Sequence, residues 1–381
     1  MPYPVPELYL GLMSGTSMDG VDGVLVNFGD KALKVIAHAH RPFPKALADE
    51  MLALNQRQGL DELHRAALAA NGLARVYAEV AKALLSEAQV SANDVQAIGA
   101  HGQTVRHQPG LHDETGYTIQ LNNPALLVEL TGIAVVADFR SRDVAAGGQG
   151  APLVPAFHQA VFGQGLETSG AGVAVLNIGG ISNITILQGL ATQGFDCGPG
   201  NALLDYWIHK YQGLAYDEDG RWAASGKVHE DLLKALMSEP YFMQMPPKST
   251  GRDLFNAPWL EQRLQGLENI APADVQATLT ELTAHACAGD LLRHGKDCKH
   301  LYVCGGGALN GELMRRIQAQ LPNAKVESTQ ALGLPPLQVE ATAFAWLARK
   351  ALMGEPGTLP AKTSAHTGAK GVRILGAIYP A

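Results

Sequence analysis

Short apolar runs that end in turns of glycine, serine, threonine or asparagine alternate with longer stretches at helical spacing. Leu8 to Met13 reads as a strand, and Val21 to Phe28 as a second one, with Ser14-Gly-Thr-Ser-Met-Asp-Gly20 between them. Strand, tight loop and strand predict a hairpin, with Leu33 to His40 as a third strand beside it. Lys45 to Gln56 and the Ala/Leu-rich stretch Asp61 to Ala88 carry the 3.6-residue period of helices that cover a sheet. Val95 to Ala100, Thr118 to Leu121 and Ile133 to Ala137 read as further strands. Asn122-Asn-Pro124 opens a helix, with Asn at the cap and Pro in the first turn. Leu153 to Phe162 reads as a helix, and the small, polar stretch Gln164 to Gly172 as a domain boundary.

The pattern then restarts. Val173 to Ile178, the turn Gly179-Gly-Ile-Ser-Asn183 and Ile184 to Leu187 form a second hairpin of the first kind, so the two halves share one plan. Helices are expected at Ala202 to Tyr211, Val228 to Met237, Ala257 to Leu267, Pro272 to Arg293, Leu309 to Leu321 and Pro335 to Leu352. Leu301 to Cys304 is a strand that runs into Gly305-Gly-Gly-Ala-Leu-Asn310, and Val372 to Ile378 adds a last strand. Strands alternating with helices place the chain in the α/β class. At 381 residues it is too long for one ordinary core, so two domains are expected.

The stretch Gly194-Phe-Asp-Cys-Gly-Pro-Gly-Asn201 puts one carboxylate, Asp196, just before a Gly-Pro-Gly turn. Asn201 is a favoured cap for the helix that follows. Asp196 is therefore expected on a rigid turn beside a helix N-terminus, where exposed N–H groups favour an anion. It reads either as a plain turn residue or as a proton acceptor for a hydroxyl or water beside bound phosphate.

Composition narrows the classes. A formal charge of −7 and the absence of a Lys/Arg-rich run argue against nucleic acid. No stretch approaches the roughly 20 apolar residues of a membrane span. The residues before Leu8 do not have the form of a signal peptide. Cys197, Cys287, Cys298 and Cys304 form no C-x-x-C pair and read as reduced thiols, so the expected compartment is the cytoplasm.

Three glycine loops follow strands: Ser14 to Asp22, Gly179 to Asn183 and Gly305 to Asn310. Such loops turn backbone N–H groups toward an anion, and together they favour a phosphate ligand. None is a standard fingerprint. The chain has no G-x-x-x-x-G-K-[ST], and Asn310 stands where G-x-G-x-x-G needs glycine. The G-x-S-x-G elbow is missed because Asp19 stands at its final position. Ser14, Thr16 and Ser17 are candidate phosphate donors, and Asp19 and Asp22 candidate acids for a hydrated Mg²⁺. His101 and Arg140 lie at strand C-terminal ends, where α/β folds bind substrates. Arg140 and Arg142 read as a carboxylate clamp or as a salt-bridged surface loop, and Glu340 as a capping acid or a sugar contact. His101, His107, His112 and His158 lack zinc spacing.

A hairpin near each domain start, with a late glycine loop before a helix, resembles the acetate/sugar kinase, Hsp70 and actin superfamily. The wording is narrower still. Gly11-Leu-Met-Ser-Gly-Thr-Ser-Met-Asp-Gly20, Ala100-His-Gly-Gln-Thr104, Ala137-Asp-Phe-Arg140, Gly147-Gly-Gln-Gly-Ala-Pro-Leu-Val-Pro155, Asn177-Ile-Gly-Gly180, Phe195-Asp-Cys-Gly-Pro-Gly-Asn201 and Cys304-Gly-Gly-Gly307 resemble the 1,6-anhydro-N-acetylmuramic acid kinases, in family order across nearly the whole chain.

The resemblance implies two similar domains of actin/sugar-kinase (RNase H-like) type with a cleft between them that closes on substrate. Residues 1–165 would form the N-terminal domain, joined by 366–381, and 166–365 the C-terminal domain. It implies ATP and Mg²⁺ as cofactors, the anhydro-sugar as substrate and a role in peptidoglycan recycling. A homodimer is the expected assembly. Asp196 would be the catalytic base, acting on a water that attacks the anomeric carbon as O6 takes the γ-phosphoryl group. Gly15, Thr16, Ser17, Met18, Asp19, Gly20, Val21 and Asp22 would hold ATP with Gly179, Gly180, Gly305, Gly306 and Gly307, and Asp19 would reach Mg²⁺ through water. His101, Gln103, Arg140, Gly198, Asn201 and Glu340 would contact the sugar. Two rival readings remain: a non-catalytic nucleotide-gated module, and a kinase whose Asp196 deprotonates a free sugar hydroxyl.

Overall fold

The computed structural model describes residues 7–15, 18–29, 33–56, 59–164, 172–189, 191–360 and 367–381, with the backbone of 364 and 365. In chain order the strands are β1 (Leu8–Met13), β2 (Gly20–Asn27), β3 (Lys34–Pro42), β4 (Val95–Ala100), β5 (Gln103–Pro109), β6 (Gly116–Leu121), β7 (Val135–Ala137), β8 (Gly172–Ile178), β9 (Ile181–Gln188), β10 (Ala191–Pro199), β11 (Cys298–Cys304), β12 (Lys325–Ser328), β13 (Ser364–Ala365) and β14 (Ala377–Tyr379). The helices are α1 (Lys45–Asn55), α2 (Glu62–Ala88), α3 (Pro124–Thr131), α4 (Ser141–Ala145), α5 (Pro155–Phe162), α6 (Ala202–Gln212), α7 (Arg221–Ser225), α8 (Glu230–Met237), α9 (Ala257–Arg263), α10 (Pro272–His294), α11 (Gly311–Gln320) and α12 (Val339–Leu352).

The chain divides into two compact units: Met1–Phe157 with Gln338–Lys362 and Thr367–Ala381, and His158–Leu337 with Thr363–His366. The first boundary thus falls inside α5 and not at 165/166. The segment Gln338–Lys362, expected in the C-terminal domain, belongs to the first unit. The reason is packing. α12 lies on β1 and β4 so closely that a Cβ on Gly11 would meet the Ala341 carbonyl, and one on Gly99 the Phe344 carbonyl. Two glycines opposite a helix backbone pull that helix against the strands, an approach any side chain would block.

The first unit's main sheet runs β14-β7-β4-β1-β2-β3, and the second unit's runs β12-β11-β8-β9-β10-β13. The correspondence is close. β1 pairs antiparallel with β2 and parallel with β4. β8 pairs antiparallel with β9 and parallel with β11. Third strands β3 and β10 continue each meander, and β7 and β12 extend each parallel side. Each unit is therefore an α/β fold of RNase H-like strand order, with its own core. In the first, Leu10, Leu12, Val21 and Leu25 pack against Leu73, Tyr77, Val80 and Leu84 of α2. In the second, Leu176, Ile184, Phe195 and Val303 pack against Cys287, Leu291, Leu313 and Ile317 of α10 and α11.

Four strands escape the sequence pattern. β5 begins at Gln103, β12 is short and only half-buried, and β13 is two residues long. The fourth matters most. Asp196 does not lie in a turn: it is in β10, paired directly with Asn183 of β9, and a register shift follows at Cys197. Two glycines and a proline within the strand disguise it.

Candidate functional site

In the first unit the expected residues converge at the C-terminal ends of β1, β4 and β7. Ser14 is buried; its Oγ lies 3.0 Å from the Tyr77 hydroxyl and donates to the Gly102 carbonyl at 3.2 Å. Tyr77 Oη in turn accepts from the Gly102 N–H at 3.0 Å, and burial pushes its pKa up. Gln103, fully buried, donates from Nε2 to the Gly15 carbonyl at 3.0 Å. His101 faces two groups of opposite demand. Nδ1 lies 3.2 Å from the Ser14 carbonyl, which only accepts, while Nε2 faces Arg140 Nε at 3.1 Å and Nη2 at 2.9 Å, which only donate. The neutral ring with its proton on Nδ1 satisfies both. Burial first, and the Arg140 cation second, hold the His101 pKa well below its ordinary value. Arg140 Nη1 donates to the Gly150 carbonyl at 2.6 Å. This network ties the loop after β1 to the loops after β4 and β7.

The remaining candidates of this unit divide. Met18 is buried in a left-handed backbone conformation, and Gly20 and Val21 are buried at the start of β2. Asp19 is exposed, and its carbonyl accepts from the Phe43 N–H at 3.2 Å. Asp22 is turned onto β3, 3.1 Å from His40 Nδ1 and 3.4 Å from His38 Nε2, and so is engaged within the sheet. Thr16 and Ser17 lie outside the described residues. Glu340 sits in the first turn of α12, four residues before Phe344, whose ring centroid is 4.7 Å from that of His101. Arg142 donates to the Ile374 carbonyl at 3.2 Å, so it is not joined with Arg140 in a clamp.

In the second unit Gly179, Gly180, Asn201 and Gly305 to Gly307 gather where β8 and β11 end. The turn holds the start of α6 by its carbonyls: Gly179 O accepts from the Asn201 N–H at 2.8 Å, and Gly180 O from the Gly200 and Ala202 N–H groups at 2.9 and 3.2 Å. The N–H groups of Gly200, Asn201 and Ala202 are therefore spent inside the protein. Asn201 does not cap with its side chain either; its amide donates to the Ile178 carbonyl at 3.3 Å. Gly305, at φ +77°, donates to the Pro336 carbonyl at 3.0 Å, and a Cβ there would strike the Asn177 carboxamide.

Asp196 is 6% exposed. A loop and a ring hold it at three points. Its N–H donates to the Lys248 carbonyl at 3.2 Å, its Oδ2 accepts from the Thr250 N–H at 3.0 Å, and its carbonyl accepts from Tyr241 Oη at 2.8 Å. Burial, with the Asp196 carboxylate next in weight, raises the Tyr241 pKa, so this hydroxyl stays a donor. The loop is anchored beneath: Lys248 Nζ and Asp290 Oδ2 form a 3.2 Å pair, each side chain 1% exposed. Tyr77, Tyr241, Lys248 and Thr250 carry no motif of their own. The only signal for the last two was the hydroxyl- and glycine-bearing turn Lys248-Ser-Thr-Gly251. Among the described residues no group of three His, Cys, Asp or Glu could hold a metal ion, and no helix is long and apolar enough to cross a membrane.

The anhydro-N-acetylmuramic acid kinase family profile matches residues 7–381. The chain belongs to the anhydro-N-acetylmuramic acid kinase family. Relatives of that name include one from Variovorax paradoxus, 60% identical over 98% of this chain and 99% of its own, and one from Albidiferax ferrireducens, 59% identical over 98% and 100%. Among solved structures, the activator of 2-hydroxyisocaproyl-CoA dehydratase from Clostridium difficile aligns at 11% identity and a TM-score of 0.48, over 91% of this chain and 96% of that one. Every loop described above lies inside the matched span of this kinase family.

Proposed function

We propose that the protein opens 1,6-anhydro-N-acetylmuramic acid with water and transfers the ATP γ-phosphoryl group to O6. The products are N-acetylmuramic acid 6-phosphate and ADP, and the reaction belongs to peptidoglycan recycling. The observation that carries this reading is family membership across residues 7–381. It makes the chain an ATP-using phosphotransferase with an alcohol acceptor. Asp196 is the general base: it takes a proton from the water that attacks the anomeric carbon, and the released O6 becomes the nucleophile toward phosphorus. Support for that role comes from its burial and from the backbone bonds that fix its orientation without supplying a second proton acceptor.

Gly15 to Asp22 and the Gly179–Gly180 turn are assigned to the phosphates, and Gly305 to Gly307 to the adenosine. His101, Gln103, Arg140, Gly198, Asn201 and Glu340 are assigned to the sugar. Asp19 is an exposed carboxylate outside any cluster of three His, Cys, Asp or Glu among the described residues, which fits an ion held mainly by phosphate oxygens and water. Mg²⁺ bound there would neutralise charge on the transferring phosphoryl group. The cytoplasm, where ATP is at hand, suits four buried cysteine thiols, and a homodimer is the assembly the family resemblance implies.

The test is ADP release with ATP and Mg²⁺, with and without the anhydro-sugar, for the parent and Asp196→Asn, repeated in H₂¹⁸O. Sugar-dependent turnover, lost in the variant by about 10³-fold or more, and label at the C1 hydroxyl are expected. Turnover indifferent to the sugar would favour a nucleotide-gated module, and unlabelled product would exclude attack by water.

A further inference from the structure

A water that attacks carbon keeps a lone pair aimed at the electrophile, so both of its hydrogens must be accepted by groups behind it. Asp196 accepts one. A second acceptor lies directly across the sheet. Asp196 pairs with Asn183, and Asn183 with Asn177, so the three residues form one row across β10, β9 and β8. Opposed residues of antiparallel strands share a face and stand about 4.5–5.5 Å apart. Their sequence neighbours Phe195, Ile184 and Leu176 point the other way, into the core under α10 and α11. The row therefore occupies the sheet's other face.

Within it Asn177 is engaged, its Oδ1 receiving the Cys304 thiol at 3.7 Å. Asn183 Oδ1 is different: it is buried and accepts no hydrogen bond among the described residues. A carbonyl oxygen withdrawn from water without a donor costs about 1–3 kcal/mol. Such a cost beside a buried carboxylate marks an atom awaiting a partner.

We propose that Asn183 is a catalytic residue, its Oδ1 accepting the second hydrogen of the water that Asp196 deprotonates. The inference rests on the reaction proposed above. In that step the water oxygen bonds to the anomeric carbon as the bond from that carbon to O6 breaks. Asp196 gains the proton, O6 bonds to the γ-phosphorus, and ADP leaves. Asn183 gains and loses nothing; it fixes the direction of the lone pair.

The test is steady-state kinetics and thermal melting of Asn183→Ala beside Asp196→Asn and the parent. Misorienting the nucleophile is expected to lower kcat by about 10²-fold, with the KM for ATP within twofold. Because the deleted oxygen bonds nothing among the described residues, Tm is expected to hold or rise. A parent-like kcat, or a fall in kcat matched by a fall in Tm, overturns the role of Asn183. Asp196→Asn separates the two readings. If it is inactive while Asn183→Ala turns over like the parent, only the inference about Asn183 fails; if it keeps parent turnover, the base assignment fails as well.

Discussion

The pair beneath Asp196 predicts an asymmetry between two substitutions. Lys248 and Asp290 are both 1% exposed, with Nζ 3.2 and 3.5 Å from the two carboxylate oxygens. Asp290 also accepts at Oδ1 from Arg293 Nη2, 2.5 Å away on a side chain 40% exposed. Lys248 Nζ is otherwise flanked by the rings of Tyr241 and Phe195, with centroids 4.9 and 5.5 Å away. Asp290→Asn leaves a buried ammonium facing a neutral amide, and stranding a buried charge costs about 3–5 kcal/mol. Lys248→Met leaves Asp290 still paired with Arg293 and fills the space between the rings, so it costs about 1–2 kcal/mol. For a unit of this size each kcal/mol moves Tm by about 2–4 °C. Asp290→Asn should then lower the melting of the second unit by roughly 6–20 °C, and Lys248→Met by less than half of that. Urea unfolding followed by tryptophan fluorescence suits the comparison, because Trp207, Trp222 and Trp259 are in that unit and only Trp346 is not. Both variants loosen the loop that holds Asp196 by Lys248 O and Thr250 N, so kcat should fall more in Asp290→Asn. A Lys248→Met protein as unstable as Asp290→Asn would refute the reasoning, because it would mean that Arg293 leaves Asp290 uncompensated.

Two further stability predictions follow from packing and titration. Gly11→Ala places a methyl group on the Ala341 carbonyl and should destabilise the first unit by about 3 kcal/mol; an unchanged Tm would show that α12 moves away at no cost. His158 is fully buried with Nδ1 2.8 Å from Thr185 Oγ1, and burial lowers its pKa to about 3. The unfolded chain therefore takes up this proton first, and the stability from a neutral His158 is intact above about pH 6.5 and declines as pH falls toward about 3. In urea titrations between those limits His158→Gln should lose less stability than the parent, and parallel slopes would contradict the assignment.

The strands and helices that bury a continuous apolar run were legible one by one. β1 and β4 were found with the bounds they have, and the α3 cap is as expected, with Asn123 Oδ1 accepting from the Leu126 N–H at 3.0 Å. The repeat of two hairpins was legible too, because each hairpin is local and its turn is written in glycine and hydroxyl residues. β10 was not, because Gly194, Gly198 and Pro199 read as a turn when the neighbouring β9 is unknown. The capping role given to Asn201 failed for a related reason: its side chain is drawn instead to the Ile178 carbonyl of a strand that is distant in the chain.

The sequence alone determined the α/β class, the two matching hairpins, the family and the residue types at each glycine loop, since these depend on local period, local turn chemistry and contiguous wording. Tertiary structure decided which residues act together. It placed α12 in the first unit, turned Asp22 away onto β3, joined His101 to Arg140, and set Asn183 opposite Asp196. Those outcomes follow from strand pairing and burial between segments distant in the chain, and neither leaves a periodic mark on the segments themselves.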